Sequence, residues 1–397
     1  MAKVMTAAAL CAVGAEKAVS NEIRKLGLEV SESGFGRIRF RADLGGLYRS
    51  LMGLRAADRV LLETAWFEAS DFDALFEGTF SVPWEDLVPR GAGLVVAKVR
   101  TNRSALRAET SIQAIVHKAA AQRLCEKLKI RRLPDDGIKA EIRVYIEKDR
   151  VSLLLDLSGD PLFKRGYRTE GGIAPLRETT AAALILLSGW KRKFPLYDPF
   201  CGSGTIAAEA AMYAWDMAPC LSRPFALDFL PISDRKTENE IRDEFYSRID
   251  FSRNVNISGS DEDRKSVLLS ESNIAKIFSR VRGKTRGEPD LPRFKTLGMT
   301  EAKAPPKAEN AGSDEGFIIT NPPYGKRLGS PELSEKIYSD MAGLEDRFPG
   351  WRLVLITDHP GFESFFGRKA NSCREITNGA IQSYMFQYYR SNDVNCS

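Results

Sequence analysis

Two short stretches hold residue types that could do chemistry together. In the first, Asn321-Pro322-Pro323-Tyr324 follows the apolar run 316–320. Prolines cannot continue a central strand, so the chain must leave a sheet here, with Asn321 at the strand's carboxyl end. In open α/β sheets that edge is where ligands bind. A stiff turn of this composition can hold a planar amino group: the Asn321 side-chain oxygen and the Pro322 carbonyl accept its two hydrogens, and the Tyr324 ring stacks on the ring that carries it. An amine conjugated into a ring is a poor nucleophile, so such a site works by orientation. The second stretch, Asp198-Pro199-Phe200-Cys201-Gly202-Ser203-Gly204-Thr205, joins a predicted strand over 195–198 to a predicted helix over 206–213. Its glycines let backbone approach a ligand closely, and the helix amino terminus favours a carboxylate. A further strand over 257–261 ends in Asp261, whose carboxylate can accept both hydroxyls of a ribose.

The elements that must present these residues are legible in outline. A length of 397 residues implies two or three domains. The first fifty-odd residues read as a small α+β unit: strand 3–10, helix 14–26, strands 29–33 and 37–40, and a short helix capped by Asp43. Strands over 59–66, 94–100, 139–147 and 151–156 follow, with helices over 71–80 and 111–128. Residues 158–176, rich in Gly and basic side chains, form a junction. An apolar helix over 177–187 then leads into the second half, where an insertion over 219–250 is packed by Arg223 and Phe225. Loops over 283–292 and 303–316 flank a weak strand, 293–297. A helix over 331–348 and strands over 352–357 and 380–389 close the chain. The expected division is 1–55, 56–160, a linker over 161–180, and 181–397.

Composition narrows the function. Hydrophobic residues at 43% and charged residues at 28% are ordinary for a globular protein, and no run has the length a membrane span needs. No secretory signal is expected at the start of the chain. Six cysteines include no Cys-x-x-Cys pair and the histidines are only His117 and His359, so a metal centre and a disulfide scaffold are not expected, and a reducing cytoplasm is. The net charge of +5 is concentrated in one region: Lys98 to Arg132 holds ten basic residues against Glu109 and Glu126. Such a stripe is the footprint of a polyanion contact.

Asp-Pro-x-Cys-Gly-Ser-Gly-Thr followed by Asn-Pro-Pro-Tyr resembles the pattern of class I methyltransferases that act on amino nitrogens, with the Gly-x-Gly-Thr turn in the form used for S-adenosylmethionine. The stretch around Lys98-Val99-Arg100, Ser104-Ala105-Leu106 and Ser111-Ile112-Gln113, with the basic helix after it, resembles the THUMP domain of RNA-modifying enzymes. Together with Lys164-Arg165-Gly166-Tyr167-Arg168, Ala174-Pro175-Leu176 and Thr377-Asn378-Gly379-Ala380, nearly the whole chain resembles the bacterial THUMP-containing guanine-N2 methyltransferases of 23S ribosomal RNA. The resemblance implies an α/β fold: a Rossmann-like methyltransferase domain with a mostly parallel seven-stranded sheet, preceded by ferredoxin-like and THUMP domains. It implies S-adenosylmethionine as cofactor, bound by Ala174, Pro175, Leu176, Asp198, Cys201, Gly202, Ser203, Gly204, Thr205, Asp261 and Asn321, with Asn321, Pro322, Pro323 and Tyr324 catalytic. It implies large-subunit RNA as partner, held by Lys98, Arg100, Arg103, Arg107, Lys118, Arg123 and Lys127 and by Lys164, Arg165 and Arg168 of the junction, and no metal. Where the family usually has an Asp for the cofactor's adenine, this chain has Leu297-Gly298-Met299-Thr300. Two other readings stay open: an adenine-N6 methyltransferase on RNA or DNA, and a non-catalytic RNA-binding assembly factor.

Overall fold

The computed structural model describes residues 3–168, 176–253, 255–283, 285, 287–304, 315–323 and 331–389. The expected α/β architecture is what it shows, built on two seven-stranded sheets. The first contains β1 (Met5–Cys11), β2 (Glu29–Gly34), β3 (Arg37–Ala42), β4 (Ala57–Glu68), β5 (Gly93–Asn102), β6 (Lys139–Glu147) and β7 (Arg150–Asp156), in the spatial order β2-β3-β1-β4-β7-β6-β5. Every neighbouring pair is antiparallel except β5 and β6. Parallel neighbours need a crossover, which the helix α4 (Glu109–Leu128) supplies. β4 pairs with β1 on one side and β7 on the other, so the sheet runs unbroken across residues 55 and 56. The preceding helices are α1 (Glu16–Lys25), α2 (Leu44–Gly53) and α3 (Phe72–Phe80). Asp43 caps α2 through the Gly46 N–H at 2.8 Å, and Asp71 caps α3 through Ala74 at 2.8 Å.

The second sheet comprises β8 (Leu196–Asp198), β9 (Ile257–Asp261), β10 (Arg293–Thr296), β11 (Phe317–Thr320), β12 (Arg352–Thr357), β13 (Ser372–Asn378) and β14 (Ile381–Tyr388), in the order β10-β9-β8-β11-β12-β14-β13. The five strands from β10 to β12 are parallel, and β14 runs antiparallel to both β12 and β13. Chain order reverses between β8 and β11, which makes their carboxyl ends the switch point at which such sheets bind ligands. Helices α5 (Glu178–Leu187), α6 (Thr205–Ala214), α7 (Arg235–Arg248) and α8 (Arg264–Ser279) lie between or before these strands, and Asp263 caps α8.

Three expectations needed correction. The helix anticipated over 331–348 is two, α9 (Pro331–Met341) and α10 (Leu344–Arg347), interrupted at Ala342-Gly343. The chain between β12 and the last strand holds a short helix α11 (Phe362–Phe366) and the edge strand β13, neither of which was anticipated. Arg223 does not fasten the insertion to the second sheet; its guanidinium donates to the carbonyls of Ser158, Asp160 and Pro161 at 3.1, 2.7 and 2.8 Å. The insertion is therefore tied to the end of β7.

The two halves share one apolar core. At its centre lies a buried charge cluster. The Glu22 carboxylate accepts from the backbone N–H groups of Arg55 and Ala56 at 2.9 and 3.0 Å. The Arg55 guanidinium donates to the Met217 carbonyl at 2.6 Å, and Arg165, whose side chain is 1% exposed, pairs with Glu209 at 3.2 Å. These charges are retained in the interior only because each faces a partner of opposite sign or a backbone dipole.

Candidate active site

Asp198 ends β8 and is almost fully buried. Its Oδ1 accepts from the Phe200 N–H at 3.1 Å and from the Thr320 hydroxyl at 2.6 Å. Thr320 ends β11, so this bond joins the two strands at the switch point, one residue before Asn321. Burial pushes the Asp198 carboxyl up to about 7, against the pull of the Thr320 and Phe200 hydrogen bonds and with a smaller push from Asp261. An unfolded aspartate is ionised above about pH 4, so the folded chain holds the extra proton between about pH 4 and 7. Stability is expected to fall as pH rises through that window. Urea midpoints at pH 5 and pH 7 should drop more for the wild type than for Asp198→Asn; equal drops would refute this.

The turn after Asp198 is shaped for close approach. Gly202 and Gly204 have φ of +52° and +75°, a region that L side chains rarely adopt, and a side chain at Gly204 would meet Ser270 at 3.0 Å. Nothing lies within 4 Å of where a Gly202 Cβ would stand, so that edge of the turn is open. Two residues missed in the sequence brace it from α8: the Ser270 hydroxyl donates to the Gly202 carbonyl at 2.7 Å, and Asn273 Nδ2 to the Ser203 carbonyl at 2.9 Å. Their signal was polar residues on the same face as Val267, Ile274 and Ile277, otherwise the apolar side of α8. Cys201 is buried with its thiol pushed up by burial, beside the Ser270 hydroxyl at 3.8 Å, so it packs rather than reacts. Asp261 ends β9; its Oδ2 accepts from Gly202 N–H at 3.0 Å and its Oδ1 from Asp263 N–H at 3.0 Å, which aims the carboxylate at the turn and leaves further lone pairs for a ligand.

At the end of β11, Asn321 Oδ1 is buried and has no hydrogen-bond partner among the described residues. Leaving a buried acceptor unmade costs roughly 1–3 kcal/mol, so its natural partner is a donor that arrives from outside. Pro322 is buried and Pro323 half-buried beside it. Tyr324, Ala174 and Pro175 lie outside the described residues, whereas Leu176 is buried and its carbonyl accepts from Arg168 at 3.1 Å. The Leu297-Gly298-Met299-Thr300 segment follows β10, with the Leu297 N–H on the Asp261 carbonyl at 3.0 Å and Thr300 exposed.

The basic candidates separate into distinct groups. Arg103, Arg107, Lys118 and Lys127 are exposed, and Lys98 is half-buried. Arg100 pairs with Glu109 at 3.3 Å, and Arg123 makes two bonds to Glu85 at 3.0 and 2.7 Å. Lys164 is exposed and pairs with Asp160 at 2.8 Å. Arg165 is not part of the exposed set, because it sits in the buried cluster with Glu209. Arg168 turns inward to Thr205. A groove of about 680 Å³ lies on the first sheet, lined among others by Phe35, Arg37, Tyr145 and Arg177; neither the turn nor Asn321 lines it.

The strand order, the Gly-rich turn opening onto α6 and the acid ending β9 define a class I S-adenosylmethionine-dependent methyltransferase. Comparison with known proteins agrees. Residues 165–387 match the family described as UPF0020, RMKL-like methyltransferase domain, and the chain belongs to it; residues 6–61 match the RlmL ferredoxin-like domain. The chain is 32% identical, over 98% of its length and 96% of the relative's, to YpsC of Bacillus subtilis (strain 168), provisionally named an RNA methyltransferase. It is 32% identical over 94% of its length to the ribosomal RNA large subunit methyltransferase K/L of Syntrophotalea carbinolica, of which it spans about half (52%). A solved structure, SMU.472, provisionally described as a methyltransferase and complexed with SAH, superposes with a TM-score of 0.84 at 33% identity, covering 98% of this chain and 99% of that one. S-adenosylmethionine is the cofactor, and the residues fit it: an open glycine edge at Gly202, a helix amino terminus at Thr205 without a side-chain cap, and a carboxylate at Asp261. Among the described residues no group of three or more His, Cys, Asp or Glu could hold a metal, and no helix is long and apolar enough to cross a membrane.

Replacing Asp261 by alanine removes an acceptor for the cofactor and the anchor of the Gly202 N–H together. Affinity for S-adenosylhomocysteine is expected to fall about 10- to 100-fold by calorimetry, the scale of hydrogen bonds to a charged group. A change below twofold would remove Asp261 from the cofactor site.

Proposed function

We propose that this chain methylates the exocyclic N2 amine of a guanine in 23S ribosomal RNA. The observation that carries the reading is the orphaned Asn321 Oδ1 at the end of β11, joined through Thr320 and Asp198 to the cofactor turn. S-adenosylmethionine supplies the methyl group as an electrophile. The chain's own residues supply orientation: Asn321 Oδ1 accepts one hydrogen of the amine, the Pro322 carbonyl accepts the other, and Tyr324 stacks on the base, so that the nitrogen lone pair faces the donor. A base in a helix must leave its stack to reach such a pocket. Asn321, Pro322, Pro323 and Tyr324 thus form the catalytic set. Ala174, Pro175 and Leu176 with Asp198, Cys201, Gly202, Ser203, Gly204, Thr205 and Asp261 form the cofactor set.

RNA as the substrate class is supported by the named activity of the large-subunit relatives and by the exposed cations in the loop after β5 and on α4. Arg103, Arg107, Lys118 and Lys127 offer phosphate contacts without ordered carboxylates against them, which suits structured RNA read through backbone and shape. Residues 56–160 serve as this RNA-binding THUMP unit, after a ferredoxin-like unit over 1–55, with the catalytic domain over 181–397 following the junction. A cytoplasmic enzyme acting on ribosomal RNA follows from the same reading.

The test is nucleoside mass spectrometry of ribosomal RNA from cells with and without the protein. Loss of N2-methylguanosine at one 23S position is the expected result. Loss of N6-methyladenosine instead would move the acceptor to adenine, and an unchanged ribosomal RNA would overturn the substrate.

A further inference from the structure

We propose that Arg168 is a cofactor-binding residue, its guanidinium recognising the amino-acid carboxylate of S-adenosylmethionine at the amino terminus of α6. The inference rests on that cofactor occupying the Gly202–Thr205 turn. Arg168 belongs to a basic run whose sequence suggests an RNA contact, but its side chain is only 14% exposed. One terminal nitrogen donates to the Thr205 hydroxyl at 2.6 Å and to the Leu176 carbonyl at 3.1 Å. It thereby ties the first residue of α6 to the segment just before α5.

Among the described residues the other donors of the group make no hydrogen bond. A guanidinium has five N–H bonds. Among the described residues Nε is buried without a hydrogen bond, its ion-pair partner Glu178 standing 3.7 Å away. A buried donor without a hydrogen bond is costly, and more so on a charged group. The surroundings point to an anion. Gly204 gives α6 no side-chain cap, so its first N–H groups lack one, and the Ser203 and Thr205 hydroxyls stand 3.3 Å apart at the same spot. The helix dipole adds positive potential there. S-adenosylmethionine carries one carboxylate, on its amino-acid end. With Asp261 on the far side of the turn taking ribose hydroxyls, that end falls to Thr205 and Arg168. Glu178, 6% exposed and with its carboxyl pushed up by burial, keeps the guanidinium in place without a tight bond that would compete.

The experiment is calorimetric titration of the full chain and its Arg168→Gln and Arg168→Lys variants with two ligands, S-adenosylmethionine and its decarboxylated form. Wild type should bind the decarboxylated ligand about 10- to 100-fold more weakly, the range for a hydrogen bond to a charged group. In Arg168→Gln the intact cofactor should weaken by a similar factor and the decarboxylated ligand hardly at all, so the preference collapses. Arg168→Lys, which keeps the charge but loses the planar fork, should fall between, and supplies the preference ratio should the Gln variant not fold. Equal weakening of both ligands would show that Arg168 only braces Thr205 and Leu176, and would overturn the proposal; so would a wild type that binds both alike. A wild type that binds neither ligand would instead refute the cofactor site itself.

Discussion

Turnover of Asn321→Ala is expected to fall about 10²- to 10³-fold with affinity for S-adenosylmethionine within about threefold of wild type, the scale seen when one oriented hydrogen-bonding group is removed from a reacting centre. The division of effects follows from position. Asn321 Oδ1 has no partner among the described residues, so losing that acceptor unmakes no hydrogen bond among them. The cofactor turn is braced independently by Ser270, Asn273 and Asp261. Asn321→Asp is the sharper variant, since it keeps the size and the acceptor but adds a charge and removes the amide donor. Single-turnover assays with RNA, set beside cofactor titrations, separate the two roles. Loss of turnover and of cofactor binding in equal measure would place Asn321 in the cofactor cradle rather than at the acceptor amine.

The second large effect concerns folding. Arg165→Met should destabilise the protein by about 3–5 kcal/mol, because it leaves Glu209 buried beside Arg55 without its main partner. Arg165 also donates to the Leu162 carbonyl at 2.8 Å, which would be left with only the Cys220 thiol at 3.5 Å. The double variant Arg165→Met/Glu209→Gln should recover a large part of the loss, since it removes both charges from the interior. Urea unfolding of wild type, Arg165→Met, Glu209→Gln and the double variant, with cofactor absent, reads the cycle. A single variant within about 1 kcal/mol of wild type would mean that water reaches the cluster.

The site was legible where its chemistry is local in sequence. Asp198 to Thr205 and Asn321 to Tyr324 are runs whose backbone demands are visible in the residues themselves: glycines where φ is positive, prolines where the strand stops. The same holds for Asp43, whose cap is set by its own helix. What escaped depends on partners distant in the chain. Nothing in Lys164-Arg165-Gly166 marks Arg165 as interior; its burial is decided by Glu209, 44 residues away. Thr320 looked like the last apolar-run residue, and only pairing of β11 with β8 brings it onto Asp198. β13 was missed because an edge strand needs no alternation: its first four residues are exposed, and Ser372-Cys373-Arg374-Glu375 has no apolar rhythm. The break before α10 had a visible cue in Gly343, outweighed by apolar spacing that continued through Leu344 and Phe348.

The unbroken first sheet, with the Glu22, Arg55, Arg165 and Glu209 cluster beneath it, leaves little play between α4 and the end of β11. On the proposed function, an RNA anchored on α4 would be offered to Asn321 at a set reach. Such an enzyme would work as a ruler, choosing its nucleotide by measured distance from a docked helix and needing to read few bases to be selective. Lengthening the RNA stem between anchor and target by one base pair would then move methylation to whichever guanine falls at the same span.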